Sequence, residues 1–515
     1  MSNESRLHKS FLNARVNLIF YFLTLVLAFF SRKIFLDSLG ADFVGLTGTL
    51  QNLLGFLNLA EMGIGAAIGY VLYKPLFDDN KDKINEIISV LGYMYRCVGL
   101  FILGAGVLLS FFLHKIFDDV TFHYGLVYFV YFSFVASSLI SYFINYKQTL
   151  LGADQRNYVV TAYYQSANVC KIIIQMLLAY YTGNYYLWAL IELTFGVIYS
   201  IILNYKINQV YPWLKSDVKF GKKLINKYPD VIKYTKQLFI HKIGSVVYSQ
   251  ITPFLVYAFA SLQTVAYYGN YTMIVSKLDA LINNVLTSTS AGIGNLIAEG
   301  DHNKILKIYW EVMAIRFWIA SVFIFALYHL LPPFISLWLG EEYILPNSIL
   351  VLILISYFLG IIRGTNEQFI LGYGLFADVW SPFIEAITLI GIAILGGKLW
   401  GFEGVLLGSI SSTTLIIYIW KPYYLFKKGF KLSLWKYWTP WVKHVLIMFV
   451  AFGLSQTIIS YIPYLSDIDG SWFKWILAAI ILVCIQGLIS TFLFCIGTQG
   501  MRDFMKRLMQ IVYRR

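Results

Sequence analysis

Long apolar runs alternate with short polar segments along the whole chain. A helix that crosses the hydrocarbon core of a bilayer needs about 20 apolar residues. About fourteen runs approach this length, centred near Phe22, Gly55, Gly99, Phe134, Ile173, Val197, Ser249, Leu281, Ala320, Leu354, Thr388, Leu415, Phe449 and Ala479. We therefore predict an all-α polytopic membrane protein with about 14 transmembrane helices. The second and eighth runs, residues 43–73 and 264–298, are long and contain several glycines, so we expect these helices to be tilted or bent.

The composition supports this class. Hydrophobic residues make up 58% of the 515-residue chain and charged residues only 13%, too few to cover the surfaces of soluble domains. This excludes most soluble enzymes, disordered scaffolds and nucleic-acid-binding proteins. The four cysteines all lie in apolar runs without CxxC spacing, so we expect neither a metal site nor a disulfide framework. The polar first ten residues and the length of the first run argue against a cleavable signal peptide.

The positive charges are distributed asymmetrically between alternate loops. With the N-terminus inside, the cytoplasmic segments carry 26 of the 40 Lys and Arg residues and the opposite loops carry 5. Lys and Arg are retained in cytoplasmic loops, so both termini are predicted to be cytoplasmic. The net charge of +13 is thereby explained by topology rather than by a nucleic-acid partner.

The longest polar stretch divides the first twelve runs into six and six. We predict an N-terminal six-helix lobe at 1–205, a basic cytoplasmic linker at 206–236, a second six-helix lobe at 237–426, and a helix pair with a basic cytoplasmic tail at 427–515. The linker is expected to lie on anionic lipids of the inner leaflet. Repeats of six helices share one orientation, and two such lobes suit alternating access.

Nine cations remain inside or near the runs, and these are the candidate substrate-binding residues. Such charges face a bundle interior or a wet cavity, where they contact substrate or pair with an internal carboxylate. Lys421 and Lys443 lie near helix ends, where snorkelling to the interface explains them. His444 is expected at the interface as well. The seven predicted to form a cationic cavity are Arg96, Lys171, Lys277, Arg316, Arg15, Lys242 and Arg363.

Intramembrane carboxylates are the candidates for ion coupling or internal pairing. They are Glu61, Glu192, Asp279 and Glu367. Arg363 and Glu367 are four residues apart and can pair on one helix face, whereas Lys277 and Asp279 cannot. Glu61 lies near the middle of the second run, where a proton- or sodium-coupling role and a structural hydrogen bond both remain open. No cofactor is expected, and no nucleotide-binding or catalytic motif is present.

Several segments resemble a known family. The sequences are NLAEMGIGAAIGYVLYKPL at residues 58–76, DKINE at 82–86, GADQRN at 152–157 and LIAEGD at 296–301. They are similar to segments of bacterial O-antigen and capsule repeat-unit flippases of the multidrug/oligosaccharidyl-lipid/polysaccharide (MOP) exporter superfamily. The resemblance implies a V-shaped, MATE-like transporter in two lobes that moves undecaprenyl-pyrophosphate-linked oligosaccharide across the bacterial inner membrane.

Two alternatives stay open at this point. One is a multidrug or small-solute antiporter of the same fold, which the excess of intramembrane cations opposes, because a cation exporter should offer carboxylates. The other is an enzyme, a membrane polysaccharide polymerase or ligase. The non-cytoplasmic loops are no longer than about fifteen residues and leave little room for such chemistry. We expect a monomeric transporter of a lipid-linked substrate for polysaccharide biosynthesis rather than an enzyme.

Overall fold

The computed structural model describes residues 6–513 except 62, 119, 155, 288–292, 294–295, 298, 376 and 463–469. Within the helices, the side chains of residues 6–11, 14, 59–60, 66, 237–238, 240–249, 284–285, 287 and 511–513 are also left out. The described residues form helices and contain no β-strand. The predicted all-α class is therefore confirmed.

The chain forms two compact units, residues 1–266 and 267–515, which we describe separately. The helices that begin in unit 1 are α1 (Arg6–Leu39), α2 (Ala41–Leu57), α3 (Ile64–Phe77), α4 (Lys81–Ser110), α5 (Leu113–Ile116), α6 (Tyr124–Phe143), α7 (Gln148–Ala153), α8 (Asn157–Thr182), α9 (Tyr185–Val210), α10 (Val218–Leu224), α11 (Pro229–Phe259) and α12 (Leu262–Thr287). Helix α12 continues into unit 2. The helices that follow are α13 (His302–Leu339), α14 (Asn347–Gly372), α15 (Ser381–Thr413), α16 (Lys421–Tyr424), α17 (Trp435–Ser460), α18 (Trp472–Gly497) and α19 (Gln499–Tyr513).

The centre of every predicted apolar run is helical, and part of the eighth run, within 288–298, lies outside the described residues. Nine helical segments among the described residues are long and apolar enough to cross a membrane, and one of them, Ser381–Phe430, contains two of the predicted runs. Four runs remain. The second corresponds to α2 and α3 together, the fifth to α8, the seventh to α11 and the eighth to α12. The chain is thus a multi-pass membrane protein, as predicted. The predicted lobe and linker boundaries remain a prediction.

The second run is broken near its middle. Helix α2 ends at Leu57, a 3₁₀ turn spans Asn58–Glu61, and α3 starts after Gly63, whose φ of 96° is in the left-handed region that favours glycine. The expected bend is therefore an interruption that leaves backbone groups outside the regular helical ladder.

The eleventh run and the start of the twelfth form a tight helical hairpin within α15. The chain reverses at Trp400 and Gly401, where Gly401 has a φ of 57°. A Cβ atom on Gly404 would lie 1.9 Å from the carbonyl oxygen of Gly396, so the two arms meet backbone to backbone. Only small residues allow this approach, which is typical of helix packing in membranes.

The basic linker packs onto unit 1. Helix α9 extends to Val210 and α11 begins at Pro229, and α10 crosses α4 between them. A Cβ atom on Gly221 would lie 2.3 Å from the carbonyl oxygen of Ser89, and the backbone N–H of Asp217 donates to the Ser89 hydroxyl at 2.9 Å. The packed face of α10 is apolar, and its lysines Lys219, Lys222 and Lys223 are exposed.

An ion pair connects the end of the linker to α4. The ammonium of Lys227 lies 2.7 Å from a carboxylate oxygen of Glu86, which also accepts from the Tyr228 hydroxyl at 2.5 Å. Burial, followed by the hydrogen bond to Glu86, raises the pKa of the Tyr228 phenol above its ordinary value. The tyrosine therefore remains a neutral donor to this carboxylate.

The C-terminal helix α19 is also docked. Arg507 lies 2.9 Å from Glu311 of α13, whose side chain is only 4% exposed. A Cβ atom on Gly500 would lie 2.3 Å from the carbonyl oxygen of Trp310. The predicted basic tail is thus an ordered helix held against the start of α13.

Candidate functional site

The predicted cavity cations occupy three kinds of environment. Some form ion pairs, one is buried without an ion pair, and others are exposed. We therefore consider them group by group, within the unit to which each belongs.

Lys171 is paired inside unit 1. Its ammonium lies 2.7 Å from Glu192 across the α8–α9 contact, and both side chains are less than one-fifth exposed. Gln175 donates to the other oxygen of Glu192 at 3.2 Å and to the carbonyl oxygen of Trp188 at 3.1 Å. The carboxylate is satisfied by protein groups, which favours the structural ion pair over a substrate contact for this lysine.

Arg363 and Glu367 form the local pair that their spacing permits. The two groups are 2.7 Å apart on successive turns of α14, and both are partly exposed. A single-helix pair of this kind contributes little to stability by itself.

Arg316 has a different environment, because it is buried without an ion pair among the described residues. Its side chain is 1% exposed on α13, and one terminal nitrogen donates to the carbonyl oxygen of Ile361 at 2.7 Å. Its Nε is buried and has no hydrogen-bond partner among the residues that the structure describes. Gly364 makes room for the guanidinium, because a Cβ atom there would lie 2.5 Å from Nη1.

Two carboxylates act electrostatically on Arg316. They are Glu367 and Asp279, and Asp279 also interacts with Arg363. Asp279 accepts a hydrogen bond from Asn283 at 2.9 Å on one oxygen, while the other oxygen is buried and has no hydrogen-bond partner in the described part of the chain. We call Asp279, Arg316, Arg363 and Glu367 the unit 2 charge cluster. It brings together four predicted site residues from three helices.

The other predicted cations lie apart from this cluster. Arg15 is exposed on α1, and Lys277 is half-buried on α12. The side chain of Lys242 lies outside the described residues. Arg96 is exposed on α4, and within the described part of the chain no carboxylate forms an ion pair with it.

The surroundings of Arg96 are informative. Leu100, Leu103 and Val107 follow it on the same face of α4 and are exposed apolar residues. One turn before it, Tyr93 touches α10, since a Cβ atom on Gly221 would lie 2.6 Å from that of Tyr93. Arg96 thus lies between a basic amphipathic helix and an exposed apolar stripe.

Glu61 lies at the break between α2 and α3. It accepts a hydrogen bond from the hydroxyl of Tyr95 at 2.7 Å. Asn58, at the other end of the 3₁₀ turn, accepts from Ser138 at 3.0 Å and from Tyr142 at 3.1 Å. We call these five residues the helix-break cluster. The hydrogen bonds connect the interrupted helix to α4 and α6, as the structural interpretation of Glu61 requires.

Sequence reasoning missed one buried pair and the burial of one histidine. Lys421, expected to snorkel, lies 2.6 Å from Asp378, a 6% exposed carboxylate in the polar segment before α15. Asp378 also accepts from the indole N–H of Trp420 at 3.1 Å. The ring of His444 is 4% exposed and packs against Trp310, and its predicted position at the interface stays a prediction. Nothing in the spacing of these residues indicates either arrangement.

Comparison with known proteins shows the fold. No family model matches the chain, and no curated protein matches it. The lipid II flippase MurJ, in an inward closed conformation, matches 95% of this chain and 99% of its own with a TM-score of 0.65 and 15% identity. A multidrug resistance MATE family transporter of the MOP superfamily, in an inward-facing conformation, matches 81% of this chain and 99% of its own with a TM-score of 0.59 and 14% identity.

These similarities establish the architecture. The chain has the fold shared by MurJ and MATE transporters, so the predicted MATE-like fold is confirmed. The matched proteins are a flippase and a transporter rather than enzymes. The flippase matches a larger share of this chain than the MATE transporter does, 95% against 81%.

The first prediction tests whether Lys171 has a structural role. Lys171→Met should lower the free energy of unfolding by roughly 3 kcal/mol, because it strands the Glu192 carboxylate. Lys171→Met combined with Glu192→Gln should recover most of that loss, with Glu192→Gln alone completing the double-mutant cycle. Thermal unfolding of the purified protein in detergent measures these effects. Unchanged stability of Lys171→Met together with lost transport would contradict the structural assignment.

The second prediction concerns the position of the Arg316 guanidinium beside Gly364. Gly364→Ala should displace the guanidinium and weaken its hydrogen bond to Ile361, lowering stability by about 1–3 kcal/mol. Gly360→Ala, one turn earlier on α14 with open space around its Cβ position, is the matched control. It should be neutral or stabilising by up to about 1 kcal/mol. Equal melting temperatures for the two variants would show that Arg316 is not held in this position.

Proposed function

We propose that this protein is a MOP-superfamily flippase that moves undecaprenyl-pyrophosphate-linked oligosaccharide across the bacterial inner membrane by alternating access. The product would supply polysaccharide biosynthesis, of the O-antigen, lipopolysaccharide or capsule kind. The family-like segments in the sequence and the fold shared with a lipid II flippase over 95% of the chain support this proposal. In it, the protein works as a monomer with both termini in the cytoplasm.

The observation that carries the proposal is the environment of Arg96. It is an exposed cation that forms no ion pair with a described carboxylate, next to the exposed apolar stripe of Leu100, Leu103 and Val107. A guanidinium binds phosphate oxygens bidentately, and an apolar surface beside it suits a lipid chain. A lipid with a phosphate or pyrophosphate headgroup satisfies both surfaces together.

Helix α10 indicates the depth at which this would occur. The exposed lysines of α10 lie where this helix crosses α4 at Ser89 and Tyr93, and lysines beside an anionic leaflet attract its headgroups. From Tyr93 to Arg96 the helix rises about 4.5 Å. In the proposed mechanism Arg96 and the lysines of α10 therefore receive the headgroup at the inner leaflet, where anionic lipids also gather.

The remaining steps of the proposed transport depend on which parts of the substrate are polar. The headgroup and sugar need a polar path, whereas the polyprenyl chain can remain in the bilayer. The unit 2 charge cluster would serve that path, because Arg316 retains an unsatisfied Nε and can exchange its present contacts for a pyrophosphate oxygen. The Lys171–Glu192 pair plays no direct part in this scheme.

A second candidate function is a cation-coupled antiporter of small solutes. The observation in its favour is Asp279, whose buried Oδ1 has no hydrogen-bond partner within the described ranges and would be available to a proton or a cation. We rank it second because the chain offers more intramembrane cations than carboxylates to its substrate. Coupling to a proton or sodium gradient through Asp279 or Glu61 is compatible with either function.

The third prediction tests the flippase directly. In cells that lack their own flippase, this chain should restore export of the glycan, and Arg96→Ala should lower that export by roughly tenfold, the loss of one charge-assisted hydrogen bond. Arg96→Lys should retain part of it. Lys398→Ala, another exposed cation, is the control, and protein levels are measured in parallel. Wild-type export by Arg96→Ala would remove the main support for the proposal.

The fourth prediction tests coupling at the helix-break cluster. Glu61→Gln keeps an oxygen that accepts from Tyr95, so its melting temperature should stay near that of the wild type. It cannot exchange a proton, so substrate-driven proton or sodium flux in proteoliposomes should be lost. Tyr95→Phe makes the opposite change: it removes the hydrogen bond and retains the carboxylate. It should be less stable by about 1 kcal/mol and still coupled. Normal flux in Glu61→Gln would assign Glu61 a purely structural role.

A further inference from the structure

A cavity of about 470 Å³ lies at one end of unit 1. It is formed by the start of α2, the segment between α4 and α6, and the junction of α11 with α12. The charge asymmetry assigns all three segments to the non-cytoplasmic side. The described residues that line it are Asp42, Lys115, Ile116, Asp118, Val120 and Thr121, together with Phe254, Tyr257, Ala258, Ala260, Ser261 and Leu262.

The charged groups of this cavity are free of ion pairs. Asp42, Lys115 and Asp118 are exposed, and in the described part of the chain none of them forms a salt bridge. Two carboxylates and one ammonium give the cavity a local negative charge, against a net charge of +13 for the whole chain. The cavity therefore presents hydrogen-bond acceptors to a ligand and disfavours acidic groups.

Two aromatic residues, Tyr257 and Phe254, also line the cavity. The Tyr257 hydroxyl donates to the carbonyl oxygen of Ile116 at 2.6 Å, and its ring stacks on Phe117 with centroids 5.1 Å apart. These two contacts hold the ring in one orientation. Phe254, one turn earlier on α11, adds a second ring to the same lining. The face of an aromatic ring carries partial negative charge and attracts polarised C–H groups.

We propose that this cavity binds carbohydrate, in particular neutral or amino-sugar residues. Its volume falls within the range of about 300–1,000 Å³ typical of ligand sites. Carboxylates accept hydrogen bonds from sugar hydroxyl and ammonium groups, and the rings take the C–H face of a pyranose. The inference rests on the proposed function, because it places the glycan of the lipid-linked substrate at this end of the protein after crossing. The cavity would then select which repeat units are released.

A divalent cation fits the cavity less well. Calcium takes 6–8 oxygen ligands, whereas this lining offers two separate carboxylates beside an ammonium. A sugar needs no such convergence of oxygens. The experiment below includes this alternative as an outcome.

The test measures binding of soluble sugars to the full chain in detergent micelles. The probes are trimers of N-acetylglucosamine, of glucosamine and of galacturonic acid. Their binding is measured by saturation-transfer NMR and by titration calorimetry. We expect the first two to bind and the acidic trimer to bind at least about tenfold more weakly. Undecaprenyl phosphate, which carries no sugar, should not compete, and neither should calcium chloride.

Two variants and one control locate the site. Asp42→Asn combined with Asp118→Asn should weaken glucosamine-trimer binding about tenfold. Ala258→Trp should abolish binding by filling the cavity, without a change of charge. Asp82→Asn, an exposed aspartate in the first turn of α4 outside the cavity, should bind like the wild type. Melting temperatures check that each variant is folded.

The outcomes separate this inference from the flippase proposal. Failure of the wild type to bind any trimer, wild-type affinity in both cavity variants, or competition by undecaprenyl phosphate or calcium would overturn the carbohydrate site. If the wild type binds sugar but never restores export, the flippase proposal fails and the site stands. If the wild type restores export but binds no sugar, the carbohydrate site fails and the flippase proposal stands.

Discussion

The constraint on which this structure depends is that polar groups inside a hydrocarbon layer must find partners within the protein. Where the second helix is interrupted, Asn58 and Glu61 accept hydrogen bonds from three hydroxyl groups on α4 and α6. Where a lysine lies inside α8, a glutamate of α9 meets it at 2.7 Å. The apolar runs make the protein a membrane protein, and these polar contacts determine how its helices pack against one another.

The same constraint separates charges that support the fold from charges that remain for function. Lys171 and Lys421 are satisfied by buried carboxylates, so their removal should cost stability first. Arg316 donates to a carbonyl oxygen and interacts with the charges of Asp279 and Glu367, without forming an ion pair among the described residues. Arg96 likewise forms no ion pair with a described carboxylate. An anionic ligand can therefore exchange with the contacts of Arg316 or add to those of Arg96, whereas it would have to break an ion pair at the other two.

Glycine at close contacts fixes the depth of the polar segments. Gly221 brings α10 onto α4, and Gly500 brings α19 onto α13. Helix α4 is 30 residues long, about 45 Å, which exceeds the roughly 30 Å of a hydrocarbon core, so part of it extends beyond the bilayer.

The sequence by itself determined the helical class, the positions of the runs and the set of intramembrane charges, because hydrophobic length and charge are properties of single segments. It also predicted the Arg363–Glu367 pair, since both residues are on one helix. Only the tertiary structure decided that Lys171 meets Glu192, that Lys421 meets Asp378 and that His444 is buried. These partners lie on different segments, and their meeting depends on how helices rotate and cross, which side-chain packing decides. The cavity at the end of unit 1 has the same origin, because its walls come from three segments, distant in sequence, that only the fold brings together.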